Sequence, residues 1–101
     1  MKLMLCNAPP EAAQTIAETV VEGGLAACVN LIGPVRSIYR WEGKLCRDEE
    51  VTLLIKVADE RVEALRQKLL EAHPYDCPEL LCLPVDEALS HGPYVAWVEG
   101  R

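Results

Sequence analysis

Residues 25–58, "LAACVNLIGPVRSIYRWEGKLCRDEEVTLLIKVA", decide the fold. The run 25–32 is apolar throughout and of strand length, which suits a strand buried on both faces. Gly33-Pro34 should interrupt or bulge it, since proline cannot donate to a ladder. Extended character resumes over 35–41, "VRSIYRW". Glu42-Gly43 then has the look of a hairpin turn. The return, 44–58, places Val51, Leu53, Ile55 and Val57 at alternate positions on one face. Together they form a ribbon far longer than the usual strand of about five to six residues.

Helical and extended segments flank this ribbon in a regular order. "KLMLC" (2–6) is a short strand ended by Asn7 and Pro9-Pro10, and proline in a first turn is preorganised for a helix. Ala13, Ile16, Ala17, Val20 and Val21 follow at helical spacing, and Gly23-Gly24 supply the stop. After the ribbon, Asp59 is placed to cap a second helix over 60–73. Its inner face is Val62, Leu65, Leu69 and Ala72; Glu60, Arg61, Glu63, Arg66 and Lys68 lie outside, and Pro74 ends it. "ELLCLPV" (79–85) is a fourth strand, and the tail from Asp86 is read as a short helix carrying Tyr94, Val95 and Trp97.

The resulting order, β-α-β-β-α-β plus a tail, is the α+β, ferredoxin-like arrangement with a long β2–β3 hairpin and a short C-terminal helix. Right-handed crossovers put both main helices on one face of the sheet. The other face and the long ribbon need cover, so the chain is expected to form an oligomer. At 101 residues, with no linker or repeat, 1–101 reads as one domain.

Composition narrows the function classes. Ten Lys+Arg against sixteen Asp+Glu give a formal charge of -6, and no basic cluster offers a phosphate-binding face, so nucleic acid and anionic membranes are excluded as partners. No apolar run approaches the ~20 residues of a membrane span. The start has no secretory h-region and no small residue before Cys6, which points to a cytoplasmic protein. Five cysteines without Cys-x-x-Cys spacing disfavour a disulfide framework or a closed zinc knuckle. Cys28 and Cys82, inside apolar runs, read as small buried hydrophobes, while Cys46 and Cys77 stand between packing and exposure.

Topology brings distant residues together. If strand one ends at the top, then Cys6, the Trp41–Gly43 turn and the exit of helix two over His73–Glu79 share that end, while His91 lies in the tail. Cys6 precedes a helix N-terminus, which would lower its thiol pKa, and His73 stands at the same end. A Cys–His nucleophile is one reading, although no third orienting group or glycine-rich oxyanion loop accompanies it. A thiolate and an imidazole also suit copper or zinc, with copper favoured by intrinsic affinity; two ligands make such a site weak, shared between subunits or completed by water. A third reading has His73 bonding free carbonyls at its helix end. Tyr39, Trp41 and Tyr75 read first as packing at a subunit contact. His73 and Cys77 are four apart, but Pro74 and Pro78 forbid helical pairing.

"LCNAPPEA", "LAACVNLI", "SIYRWEGK", "HPYDCPELLCLPV" and "YVAWV", in this order and spacing, resemble the CutA divalent-cation-tolerance family along nearly the whole chain. The resemblance implies a cytoplasmic homotrimer of ferredoxin-like domains, without enzymatic activity, linked to tolerance of copper and other divalent cations. It carries Cys6 of the "LCNAP" block and His73 of "HPY" over as metal ligands. Some members place a second histidine before "HPY"; here that position is Ala72, so the implied copper binding is weak. No other cofactor is implied. The trimeric plan also resembles the PII signalling proteins, without their long nucleotide-binding loop. That likeness implies an alternative, a small-ligand sensor or scaffold that binds a metabolite or protein partner in its inter-subunit clefts.

Overall fold

The long ribbon dominates the computed structural model, which describes all residues from Met1 to Arg101. Strands β2 (Cys28–Trp41) and β3 (Lys44–Val57) each run 14 residues. They pair antiparallel from Cys28↔Lys56 to Trp41↔Lys44, with a register shift between Ile32 and Val35. The shift falls on Gly33-Pro34, where the ladder loses a donor. A Cβ on Gly33 would sit 3.1 Å from the Glu50 carbonyl oxygen and 3.1 Å from the Val35 nitrogen, so only glycine fits there. Glu42 (φ 50) and Gly43 (φ 78) both take left-handed conformations, the backbone that a tight two-residue hairpin demands.

Strand β1 (Lys2–Ala8) lies beside β3, and β4 (Leu80–Pro84) lies beside β1. The sheet order is β2-β3-β1-β4, and every neighbouring pair is antiparallel. With helices α1 (Pro10–Glu22) and α2 (Val62–Ala72), this is the expected ferredoxin-like arrangement. Four strand boundaries move among β1, β2 and β4. Strand β1 continues past Cys6 because Asn7 and Ala8 still pair with Thr52 and Val51. Strand β2 starts at Cys28 rather than Leu25, because the amides of Leu25 and Ala26 are taken by the Val20 carbonyl at the end of α1 (3.0 and 3.1 Å). Strand β4 drops Glu79 and Val85.

One sheet face carries the core. Met4, Cys6 and Ala8 of β1 and Leu53, Ile55 and Val57 of β3 meet Ala13, Ile16, Ala17 and Val20 of α1 and Leu65 and Leu69 of α2. Each fully buried Leu, Ile or Val here contributes about 1.5–3 kcal/mol of transfer free energy. The expectation of a strand buried on both faces at 25–32 fails. As the outer strand, β2 leaves Leu31 and Ile32 about half exposed (46% and 47%).

Helix α2 differs from its sequence reading at both ends. Asp59 does not cap it; residues Asp59–Arg61 form a 3-10 turn, and no side chain caps the helix. The Asp59 carboxylate is engaged instead by Lys2 Nζ (2.8 Å) and the Met1 ammonium (3.3 Å). Ala72 is exposed rather than inward, because the chain leaves the helix at His73 (φ -76, ψ 135) and turns the histidine inward in its place. Cys82 is exposed rather than buried, since β4 is an edge strand that the helices do not cover. Cys28 and Cys46 are half-buried and Cys77 is exposed.

Helix α3 (Gly92–Glu99) closes the chain, ended by Gly100 in the left-handed conformation. Its Val95 and Val98 pack with Met1, and with Ala27 and Val85 beside them, in a second small cluster. Tyr94 and Trp97 stay partly exposed. The Met1 ammonium is held by Glu99 (2.6 Å), Asp59 and Glu87. Burial opposes its charge, but the three carboxylates outweigh that and raise its pKa to about 10.

Candidate functional site

Three chain segments meet at one end of the sheet: the β1–α1 junction, the far end of the ribbon and the loop after α2. Proline shapes two of them. Pro9 and Pro10 turn β1 into α1, and Pro74 and Pro78 bracket the loop that leads to β4. They bound a cavity of about 1040 Å³ lined by Pro9–Ala12, by Tyr39, Trp41 and Asp48–Glu50 of the ribbon, and by Pro74–Glu79. The convergence expected from topology is therefore present.

Cys6 and His73 are not among the residues that line this cavity. Both are buried, at 1% and 7% exposure. They meet at one atom: His73 Nε2 lies 2.7 Å from the Asn7 carbonyl oxygen, and Cys6 Sγ lies 3.8 Å from the same oxygen. His73 Nδ1 accepts the Tyr75 amide hydrogen at 3.1 Å, so the ring proton sits on Nε2 and is donated to Asn7. Both ring nitrogens are thereby committed. The carbonyl-bonding role considered for His73 is present, with a partner on β1 rather than on its own helix.

The lowered thiol pKa anticipated for Cys6 is not found. Burial pushes it up to about 11, and the charges of Glu79 and Glu50 add to that effect. The α1 N-terminus, whose first two prolines present no N–H, does not offset them. At neutral pH Cys6 is a buried thiol, and a Cys–His ion pair of the nucleophilic kind is absent.

Two residues not singled out from the sequence complete the site. Asn7 supplies the shared carbonyl, while its side-chain oxygen accepts the Thr52 hydroxyl hydrogen at 2.7 Å. Glu50 is 8% exposed and accepts the Tyr75 hydroxyl hydrogen at 3.1 Å. Burial, the Glu50 charge and this hydrogen bond hold the Tyr75 hydroxyl near pKa 12. The Tyr75 ring also lies 4.8 Å from His73, centroid to centroid. Glu50 belongs to the charged stretch "RDEE" and pairs with Val35 just past the bulge at Gly33-Pro34; its burial goes with Tyr75, which arrives from the loop after α2, 25 positions away. Cys77 is exposed in the loop, and His91 stands at the N-cap position of α3 in the tail, without a side-chain cap bond. Three carboxylates close enough to share a cation, Asp59, Glu87 and Glu99, gather elsewhere, around the Met1 ammonium.

Residues 2–101 match the family described as CutA1 divalent ion tolerance protein. The chain is 46% identical over 97 residues to a divalent-cation tolerance protein CutA of Pectobacterium atrosepticum, covering 95% of this chain and 86% of that one. It is 45% identical over 86 residues to protein CutA of Mus musculus, covering 85% of this chain but only 48% of that longer protein. Among solved structures, the PII-like protein CutA from Nostoc sp. PCC 7120 superimposes with a TM-score of 0.95 at 45% identity, covering 99% of this chain and 95% of that one. The divalent cation tolerance protein of Thermus thermophilus superimposes with a TM-score of 0.91 at 37% identity, covering 99% and 97%. Over its full sheet and both core helices, this chain belongs to the CutA1 divalent ion tolerance family.

Proposed function

We propose that residues 1–101 form a single CutA-type domain that acts as a cytoplasmic, non-enzymatic homotrimer in the response to divalent metal ions and binds copper weakly through Cys6 and His73. One observation carries the metal assignment: Cys6 Sγ and His73 Nε2 converge on the same Asn7 carbonyl oxygen. Displacing that carbonyl leaves a thiolate and an imidazole for one soft or borderline ion. Occupancy has costs. The thiol must lose a proton held at a pKa of about 11, and His73 must give up its bond to Asn7. Both costs keep the affinity low, in line with only two protein ligands.

Copper titration tests the site. Wild type should bind one ion per chain, and Cys6→Ala and His73→Ala should each weaken binding at least tenfold. Unchanged stoichiometry and affinity in both variants would sink the assignment. No helix is long and apolar enough to cross a membrane.

The cavity favours a second reading, a trimeric small-ligand sensor or scaffold. Its volume of about 1040 Å³ exceeds what a metal ion needs and suits a small organic ligand. Thermal shift with a metabolite panel tests it, since a ligand specific for the native state raises the melting temperature.

A further inference from the structure

The cysteines differ in what meets their sulfur. Cys6 and Cys46 lie against backbone carbonyl oxygens, those of Asn7 and Lys44. Cys28 instead has an amine beside it: Lys56 Nζ lies 3.8 Å from Sγ. The sheet imposes this meeting, because Cys28 and Lys56 are direct Cα partners across the β2–β3 ladder. Side chains so placed share one face, with Cβ atoms about 4.5–5.5 Å apart. Lys56 Nζ also donates to the Asn30 side-chain oxygen on β2 and makes no ion pair. The Tyr94 hydroxyl of α3 faces the same sulfur; burial, and then the charge of Cys28 and a hydrogen bond to it, raise its pKa.

This group is separate from Cys6 and His73. It stands where β2 begins, at the end of the ribbon away from the Trp41–Gly43 turn. A thiol held against a primary amine has a chemistry that neither has alone. Once oxidised to a sulfenic acid, the sulfur is an electrophile that condenses with a neighbouring nitrogen. Here the amine already stands close to the near-attack separation of about 3–3.5 Å.

We propose that Cys28 and Lys56 are a peroxide-responsive cross-linking site, which closes a reversible sulfur–nitrogen (sulfenamide) bond between β2 and β3. Hydrogen peroxide is the oxidant. The Cys28 sulfur attacks one peroxide oxygen and the O–O bond breaks. That oxygen stays on sulfur as S–OH, and the other leaves as water with the thiol proton. Sulfur has lost two electrons and the peroxide has gained them. The Lys56 ammonium then gives one proton to solvent, its lone pair attacks sulfur, and the S–O bond breaks. The departing hydroxide takes a second proton from nitrogen and leaves as water. In sum, the thiol, the ammonium and one peroxide give the S–NH bridge, two waters and one proton. Two equivalents of a small thiol reverse it, restoring both side chains and leaving a disulfide of that thiol. Both partners belong to one chain, so the bridge does not depend on what covers this sheet face. The site goes beyond the metal and small-ligand readings and rests on neither.

Mass spectrometry of the full chain tests it, with Cys77→Ser and Cys82→Ser in place so that the exposed thiols do not consume oxidant. Hydrogen peroxide at mildly alkaline pH should remove two hydrogens from the intact mass. Digestion without reductant should yield a peptide containing Cys28 joined to one containing Lys56, and dithiothreitol should separate them. The bridged protein should melt at a higher temperature than the reduced one, because the cross-link constrains the unfolded chain. Lys56→Arg keeps the charge but not the nucleophile; it should abolish the bridge and leave a Cys28 sulfenic acid that dimedone captures. Cys28→Ser should abolish both products. Cys28 left unmodified, or carried on to sulfinic acid without joining Lys56, would overturn the proposal. So would equal dimedone capture with Lys56 and with arginine in its place. A joined product that keeps one oxygen would overturn the sulfur–nitrogen bond. If Lys56→Arg does not fold, the masses of the chain that retains Lys56 decide by themselves.

Discussion

His73 uses both ring nitrogens for structure, one toward Asn7 and one toward Tyr75, and so ties the exit of α2 to the end of β1. Its neighbour Cys6 has a pKa raised from 9.0 to about 11 by burial and by Glu79 and Glu50. Below pH 9 the thiol is protonated in folded and unfolded chains alike, and stability is unaffected by it. Between pH 9 and 11 the unfolded chain ionises first, so stability falls as pH rises. We expect the urea midpoint of wild type to decline more steeply across that window than that of Cys6→Ala. At pH 8, iodoacetamide should modify exposed Cys77 and Cys82 and spare Cys6, as mass spectrometry of digested protein will show. Identical slopes, or early alkylation of Cys6, would contradict the burial assigned to it. Residue types and spacing are enough to bring Cys6 and His73 to one end; the direction of the thiol's shift is not legible there, because it depends on desolvation and on Glu79 and Glu50 arriving from other strands and loops.

Among the elements, the ribbon was the most legible. Alternation of Val51, Leu53, Ile55 and Val57 specifies the inner face of β3, and Glu42-Gly43 specifies the turn. Gly33 is the position where this element has least freedom. A methyl group there meets two backbone atoms at 3.1 Å, and φ is +155. Gly33→Ala should therefore cost about 1–3 kcal/mol, read as a lowered urea midpoint, and a midpoint equal to wild type would remove the close-approach account. Helix α2 was less legible at its ends. Asp59 has the right chemistry for a cap, but its carboxylate goes to Lys2 and Met1, partners 57 positions or more away in sequence. Capping is a local contest that a tertiary ion pair can win.

For the whole molecule, the sheet face opposite α1 and α2 matters most. Leu81 (54%) and Leu83 (42%) are exposed on β4, and the register puts them across from Leu5 and Leu3 on that face. A contiguous apolar strip of this kind is expected to be buried against other copies. Leu81→Glu should shift the solution mass from trimer to monomer, measured by light scattering behind size exclusion. A trimeric mass in the variant would remove Leu81 from the interface, and a monomeric wild type would remove the trimer itself.

Hydrophobic period, proline and glycine placement, and chain order suffice for the element sequence, the sheet topology and the end at which Cys6, Trp41 and His73 gather, because each is set by neighbours within a few residues or by chain connectivity. Tertiary packing alone decides which of those groups line the cavity and which do not. Cys6 and His73 are buried at the Asn7 carbonyl and do not line the cavity, while Glu50, Tyr75 and Trp41 do. Desolvation and pairing of charge depend on what lies within a few ångströms in space, and that is settled only when distant segments close on one another.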